Sequence, residues 1–136
     1  MLYAIRMKYL IPVLVSVIFC LPCYAKRLYP EAQYQKAWCN ARGGVIEYKL
    51  SDKTRVDCLL PTMAVEFDFA NKWAECIGQA IYYGKMTNRQ AACVLIMENG
   101  EKDLKYLKRL RKAAYRKGVN LRTFTMKPTA LENCTP

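Results

Sequence analysis

Residues 45–73, which read VIEYKLSDKTRVDCLLPTMAVEFDFANKW, decide the fold of this chain. Apolar and polar residues alternate in three short runs, as is typical of β-strands. Turn-forming residues separate the runs at 51–53 and 61–62. The strands predicted from this pattern are residues 45–50, 54–60 and 63–69. Short strands joined by tight turns predict an antiparallel meander.

Helical and apolar patterns surround the meander. The other predicted elements are helices over 30–42, 71–84 and 101–117 and strands over 91–97 and 119–125. Gly43-Gly44 ends the first helix, and the continuous apolar run 91–97 suits a central strand buried on both faces. The side chains expected to face inward on the last helix are Leu104, Leu107, Leu110 and Ala114. The order α-β-β-β-α-β-α-β predicts an α/β (α+β) domain with a central mixed sheet flanked by helices.

The first 25 residues have the pattern of a cleaved secretory signal peptide. Arg6 and Lys8 precede a charge-free apolar run, and Cys23-Tyr24-Ala25 predicts cleavage after Ala25. A membrane anchor is the alternative, but the run of about 13 residues is shorter than the ~20 that a spanning helix needs. We therefore expect a signal peptide over 1–25 and a single domain over 26–136. The mature protein would be periplasmic or secreted and would have no stable membrane anchor.

The mature chain is strongly basic. The full sequence has a formal charge of +11. Cleavage removes two cations and no acid and leaves +9. Such a charge favours polyanions as partners, namely nucleic acid, anionic membrane or cell-wall polymers, although it also serves solubility alone.

The cysteines point to disulfide chemistry. The five that follow the predicted cleavage site are Cys39, Cys58, Cys76, Cys93 and Cys134. An odd number leaves at least one thiol unpaired. We expect a disulfide between Cys39, on the first helix, and Cys58, on the apolar face of the second strand. Cys93 is expected to be a small core residue, and the other two stay unassigned.

The chain contains no histidine, and this excludes several kinds of catalytic site. His-based triads, histidine general bases and histidine-bound zinc are all ruled out. A Cys₄ zinc site is not favoured, because no C-x₂-C pair remains after cleavage. Hydrolytic chemistry would have to use carboxylates, Lys, Tyr, Ser, Thr or Cys.

Acidic residues take alternate positions in the three strands. Strand periodicity places them on one face of the sheet, opposite an apolar face. The acidic face comprises Glu47, Asp57, Glu66 and Asp68, and the apolar face includes Val56, Cys58, Leu60, Val65, Phe67 and Phe69. Clustered carboxylates repel one another unless a cation or raised pKa values relieve the repulsion, and Mg²⁺ suits such oxygen ligands. The alternative is a solvated outer face on which Lys49 and Arg55 neutralise the acids.

The helix after the third strand carries one polar and one apolar stripe. The polar stripe is Lys72, Cys76, Gln79 and Tyr83, and the apolar stripe is Trp73, Ile77, Ala80 and Ile81. Next to the acidic strand, the polar stripe would supply a cation and hydrogen-bond donors for a phosphate. The alternative is an ordinary amphipathic helix with one solvated face.

These residues resemble the motifs of the PD-(D/E)XK nuclease superfamily. The match comprises Asp57, then Glu66-x-Asp68, then a Q-x-x-x-Y motif from Gln79 to Tyr83 that is similar to the RecB-like branch. The predicted element order is that of the superfamily core, so the resemblance covers about residues 30–125. It implies a restriction-endonuclease-like fold and phosphodiester hydrolysis.

The resemblance also implies roles for single residues. Asp57 and Glu66 would bind Mg²⁺, or Mn²⁺ in its place, with Glu47 as an upstream acid. Gln79 and Tyr83 would position DNA or a metal-bound water. The superfamily places a lysine where this chain has Asp68. Lys72, one turn further on, would substitute for that lysine, and Asp68 would be a further metal ligand or a mark of lost catalysis.

The last helix is rich in basic residues, including Lys105, Arg109 and Lys112. They would track a nucleic-acid backbone, or they form an ordinary solvated face. Three hypotheses follow. The first is an exported Mg²⁺-dependent nuclease acting on DNA or RNA, and the second is an inactive binding module of the same fold. The third is a basic envelope protein that binds anionic polymers or a protein partner.

Overall fold

A five-stranded mixed sheet with helices on both faces forms the centre of the fold in the computed structural model, which describes residues 26–132. The elements are α1 (Glu31–Asn40), β1 (Val45–Lys49), β2 (Arg55–Leu59), β3 (Met63–Phe69), α2 (Trp73–Thr87), β4 (Gln90–Ile96), α3 (Leu104–Ala114), β5 (Leu121–Met126) and α4 (Thr129–Glu132). The order of the first eight elements agrees with the predicted order. The short helix α4 lies in a tail for which no structure was expected. The predicted signal peptide and Cys134 lie outside the described residues.

The strands stand side by side in sequence order, β1-β2-β3-β4-β5. The first three form the predicted antiparallel meander, and β3, β4 and β5 run parallel to one another. Parallel strands need crossover connections, and α2 and α3 provide them. Within residues 26–132, no helix has the length and apolar character required to span a lipid bilayer.

Helix α1 covers one face of the sheet. Its Tyr34 and Trp38 pack on β3, where the Trp38 ring lies 5.6 Å from the Phe67 ring in an edge-to-face contact. The Cys39–Cys58 disulfide, which the sequence predicted, ties α1 to β2. Gly44 lies against this disulfide, because a Cβ at that position would stand 2.6 Å from Cys39 Sγ.

Helices α2 and α3 cover the opposite face. Cys93 is fully buried, as expected of a core residue. A second disulfide, which was not predicted, joins it to Cys76 of α2. Gly84 lets α2 approach β4 closely, since an added Cβ would stand 2.9 Å from the Cβ of Ala91. A hydrophobic core cluster forms between these helices and β4, separate from the contacts of α1 on the other face.

Several side chains differ from their predicted environments. Val56 packs with Leu59, Ala64 and Tyr83 rather than with Cys58, because β2 stops pairing with β3 before Asp57 and the strand alternation is interrupted there. Ile81 is 42% exposed and Leu104 is 43% exposed. The side chains that α2 buries instead are Cys76, Ala80, Tyr83 and Gly84. Leu104 is the first residue of α3, since the preceding residues Gly100–Asp103 form a 3₁₀ turn.

Candidate active site

Asp57 lies where β2 separates from β3. The two strands pair only at Cys58 and Leu59 of β2, so the next residue towards the chain start has no backbone partner on β3. The Asp57 side chain takes that place, because its Oδ2 accepts the backbone N–H of Phe67 at 2.7 Å. Asp57 is buried, and this hydrogen bond fixes its carboxyl at the opening between the strands.

Glu66 lies beside Asp57 in the middle of β3. It is only 5% exposed, and among the described residues its Oε2 has no hydrogen-bond partner. A buried polar atom without a partner costs about 1–3 kcal/mol, so the fold holds this carboxyl against a free-energy penalty. A cation or a substrate donor would remove that penalty.

Further carboxylates surround this pair. Asp68 lies two residues along β3 and is 4% exposed. Glu31 stands in the first turn of α1, where Gln35 Nε2 donates to its Oε1 at 3.2 Å. The charge of Glu31 acts on Asp57, Glu66 and Asp68. These four residues form the acid cluster, to which α1 contributes Glu31.

Burial and mutual repulsion raise the pKa values of these acids. Burial is the largest cause for Asp57 and for Glu66, and the charge of Asp57 raises the pKa of Glu66 further. Burial, followed by the charge of Glu31, raises the pKa of Asp68 to about 7. Burial also raises the pKa of Glu31, while the charges of Lys72 and Arg27 oppose that shift. Near neutral pH the cluster therefore keeps protons that ordinary carboxyls release.

Glu47 stands opposite Asp57 on β1, between the registered pairs Ile46–Cys58 and Tyr48–Val56. Its φ is +53°, a left-handed conformation that side chains other than glycine rarely adopt. Its charge contributes to the raised pKa values of Asp57 and Glu31. Backbone strain of this kind concentrates at functional sites, and here it falls on an acid at the edge of the cluster.

Lys72 stands just before α2 and is directed towards the outer part of the cluster. Its Nζ lies 3.9 Å from Asp68 Oδ1 and 3.3 Å from Glu75 Oε2, and its side chain is 49% exposed. Its charge lowers the pKa values of Glu31 and Asp68. Among the described residues its ion pairs are with Asp68 and Glu75, not with Asp57 or Glu66.

The predicted polar stripe of α2 divides into a buried and an exposed part. Tyr83 is 7% exposed, and burial followed by the charges of Glu66 and Asp57 raises its pKa to about 12. Its hydroxyl therefore stays protonated and can donate a hydrogen bond at the acid cluster. Gln79 lies on the exposed side of α2. The structure thus brings Tyr83 to the acids and leaves Gln79 at the surface.

Each disulfide lies next to one acid of the Asp57–Glu66 pair. Cys58 directly follows Asp57, and Cys93 stands opposite Glu66 in the β3–β4 register. Cys76 Sγ lies 3.6 Å from the carbonyl oxygen of Glu66. Two covalent links therefore hold α1 and α2 against the strands that carry the acids.

Helix α3 presents an exposed basic face. Its exposed cations, together with those of the turn after it, are Lys105, Lys108, Arg109, Arg111, Lys112, Arg116 and Lys117. None of them forms an ion pair with a described carboxylate. Lys105 Nζ and Arg109 Cζ lie 4.9 and 5.7 Å from the ring centroid of Tyr106. Unpaired cations beside an aromatic ring suit contact with a polyanion.

The acids offer only a small donor set for the expected metal. Within residues 26–132, no group of three or more His, Cys, Asp or Glu side chains is arranged to hold an ion. Mg²⁺ is commonly bound by one or two carboxylates, with waters and phosphate oxygens completing the shell. Asp57 and Glu66 fit that smaller set, and the unpartnered Glu66 Oε2 supplies a free ligand atom.

Comparison with protein-family models, with curated proteins and with solved structures gives no match to this chain. The class that the fold defines is a mixed α/β protein with a five-stranded sheet flanked by helices.

Three residues of the site were not predicted from the sequence. Glu31 and Gln35 stand one turn apart at the start of α1, just after Pro30, and that spacing could have indicated a polar pair at a helix start. Arg27, which affects the pKa of Glu31, gave no signal in the sequence.

Proposed function

We propose that the protein is an exported, metal-dependent nuclease that hydrolyses phosphodiester bonds of DNA, with RNA as the second candidate substrate. The observation that carries this proposal is the Asp57–Glu66 pair at the opening between β2 and β3, where buried Glu66 Oε2 has no partner among the described residues. A buried carboxyl oxygen without a partner costs stability, and a bound metal ion would offset that cost.

Asp57 and Glu66 would hold Mg²⁺ or Mn²⁺, and Glu47 lies close enough to influence the same site. The ion would lower the pKa of a bound water and neutralise charge on the attacked phosphate. The chain supports this arrangement by fixing the Asp57 carboxyl on the N–H of Phe67.

Asp68 is suited to proton transfer in this site. Burial raises its pKa, and its carboxyl would act as the general base that accepts a proton from the attacking water. Lys72, 3.9 Å from Asp68, would face the phosphate from the open side. Tyr83 would donate a hydrogen bond to a carboxylate or to a phosphate oxygen.

The basic face of α3 would bind the sugar–phosphate backbone away from the cutting site. Lys105, Arg109 and Lys112 are exposed and have no carboxylate partner in the described part of the chain. On binding they would neutralise phosphates and so release the cations condensed on the nucleic acid. Gln79, exposed on α2, would contact the same strand.

We infer a restriction-endonuclease-like core of the RecB-like branch for this domain. Support comes from the element order, from an antiparallel meander leading into parallel strands, and from acids at Asp57 and Glu66 with Tyr83 beside them. Two disulfides are compatible with an oxidising compartment and support export to the periplasm or secretion.

A second candidate is a catalytically inactive module that binds nucleic acid or another polyanion in the cell envelope. The observation that favours it is the position of Lys72, whose ion pairs are with Asp68 and Glu75 rather than with the central pair. In that case Asp68 would mark a site that has lost catalysis.

Incubation of oxidised, mature protein with plasmid and single-stranded DNA and with RNA tests the proposal. Mg²⁺ or Mn²⁺ should support cutting, EDTA should abolish it, and Glu66→Gln should reduce it at least 100-fold, as loss of an essential charge interaction does. Glu101→Gln, at an exposed acid in the turn before α3, is the matched control and should cut normally. Tight binding without cutting would favour the inactive module.

A further inference from the structure

Arg27 is held in a fixed position beside the acid cluster. Its Nη2 donates to Asn71 Oδ1 at 2.7 Å, and its guanidinium lies 3.8 Å from the centroid of the Phe69 ring. Phe69 follows Asp68 at the end of β3, and Asn71 precedes Lys72. The two contacts therefore place Arg27 at the C-terminal end of β3, next to the segment that carries Asp68 and Lys72.

Glu98 anchors the segment that carries Arg27. Its carboxylate accepts the backbone N–H groups of Leu28 and Tyr29, at 3.1 and 3.2 Å, and the hydroxyl of Tyr34 at 2.9 Å. Three donors from two parts of the chain converge on one carboxylate. The backbone next to Arg27 is thereby fixed to the end of β4.

The Arg27 guanidinium has unused hydrogen-bonding capacity. No carboxylate lies within ion-pair distance of it among the described residues, and its contacts use one of its five N–H donors. Its charge still reaches the cluster, since it lowers the pKa of Glu31. A half-buried, oriented guanidinium without an acidic partner is arranged to bind an anion.

We propose that Arg27 binds a non-bridging oxygen of a nucleic-acid phosphodiester at the acid site, and that Glu98 is the positioning residue that holds it there. This inference rests on the proposed function for its substrate class. Guanidinium forms paired hydrogen bonds to phosphate, and the stack on Phe69 orients the fork before substrate arrives. Arg27 and Lys72 would then supply positive charge on the side of the phosphate away from the acids.

Arg42 offers a matched control. Its guanidinium also lies 3.8 Å from an aromatic ring, that of Trp38, and it makes one hydrogen bond, to the carbonyl oxygen of Trp38. Arg27→Met and Arg42→Met each remove one stacked cation, but only the first removes a cation that acts on the acid cluster. Urea denaturation of both variants checks that each is folded.

The test measures binding of fluorescent single-stranded and duplex oligonucleotides by anisotropy in Ca²⁺, with cutting measured separately in Mn²⁺. Arg27→Met should weaken binding about tenfold, as loss of a hydrogen bond to a charged group does, and Arg42→Met should weaken it less than twofold. Arg27→Lys, which keeps the charge without the fork, should fall between wild type and Arg27→Met. Equal binding by the two Met variants would overturn the inference.

The two proposals fail in different ways. If wild type binds DNA without cutting and Arg27→Met weakens binding, the role of Arg27 stands and catalysis is refuted. If wild type cuts and Arg27→Met behaves like Arg42→Met, the role of Arg27 is refuted and catalysis stands. A wild-type protein that neither binds nor cuts refutes both.

Glu98→Gln tests the positioning role. It should weaken oligonucleotide binding in the wild-type background but have no further effect in Arg27→Met, because the group that it positions is then absent. If the losses of binding affinity caused by Glu98→Gln and Arg27→Met add up in the double variant, Glu98 acts on binding independently of Arg27. This outcome would contradict the positioning role even if Glu98→Gln also lowers stability.

Discussion

Glu66→Gln is the substitution whose effect on stability follows most directly from the site. Burial, and then the charge of Asp57, raises the pKa of Glu66 in the folded protein, whereas an unfolded glutamate has a pKa of about 4.3. Between about pH 5 and pH 7 the folded pair therefore holds at least one proton that the unfolded chain has lost. The contribution of this proton to the free energy of unfolding is fully present at low pH. It falls as pH rises, by about 1.4 kcal/mol per pH unit. Over those two units the loss is about 3 kcal/mol.

Glutamine keeps the shape of Glu66 but cannot ionise. The variant should therefore lose the part of the pH dependence of the free energy of unfolding that one proton contributes. Wild type and variant should have similar stability at pH 5, and the variant should be more stable by up to about 3 kcal/mol at pH 7. Urea denaturation in EDTA at pH 5, 6 and 7 measures the difference. Glu101→Gln, at an exposed acid in the turn before α3, should follow the wild-type curve. Parallel pH curves for wild type and Glu66→Gln would refute the reasoning.

Three further predictions concern packing, the disulfide and the tyrosine. Gly84→Ala should lower stability by about 1–3 kcal/mol because the new Cβ meets Ala91, whereas Gly78→Ala has open space and should raise stability by up to about 1 kcal/mol. Urea denaturation midpoints compare the two variants. A stabilised Gly84→Ala would contradict the close packing of α2 on β4. Replacing Cys39 and Cys58 together by Ser should cost about 3 kcal/mol, since the bridge closes a loop with a sequence separation of 19; an unchanged midpoint would show that the bridge adds no stability. Tyr83→Phe should slow Mn²⁺-dependent cutting about tenfold through the lost hydrogen bond, with stability within about 1 kcal/mol of wild type; an unchanged rate would remove Tyr83 from the site.

Most of the fold could be predicted from local pattern. Period-two alternation identified β1 to β3, the continuous apolar run at 91–97 identified β4, and glycines marked the end of α1. The Cys39–Cys58 disulfide followed from assigning each cysteine to a face. Local pattern was sufficient here because each element is short and bounded by turn residues.

The site could be predicted only in part, because its geometry depends on where the alternation is interrupted. Asp57 replaces a ladder hydrogen bond by accepting the N–H of Phe67, and no periodic pattern signals that event. The same interruption moves Val56 to the other cluster. Cys76 was placed on a polar stripe, although the close approach at Gly84 turns that side of α2 towards β4 and allows the bridge to Cys93.

Titration of Mn²⁺ into the oxidised protein at pH 7, by calorimetry in two buffers of different ionisation enthalpy, tests the central claim most directly. Mn²⁺ must displace the protons that burial and repulsion keep on Asp57 and Glu66. We predict one site in the wild type, with release of about one proton per ion, and loss of that site in both Asp57→Asn and Glu66→Gln. Absence of binding to the wild type, or equal binding to Glu66→Gln, would contradict the assignment of these two carboxylates as the metal-binding pair.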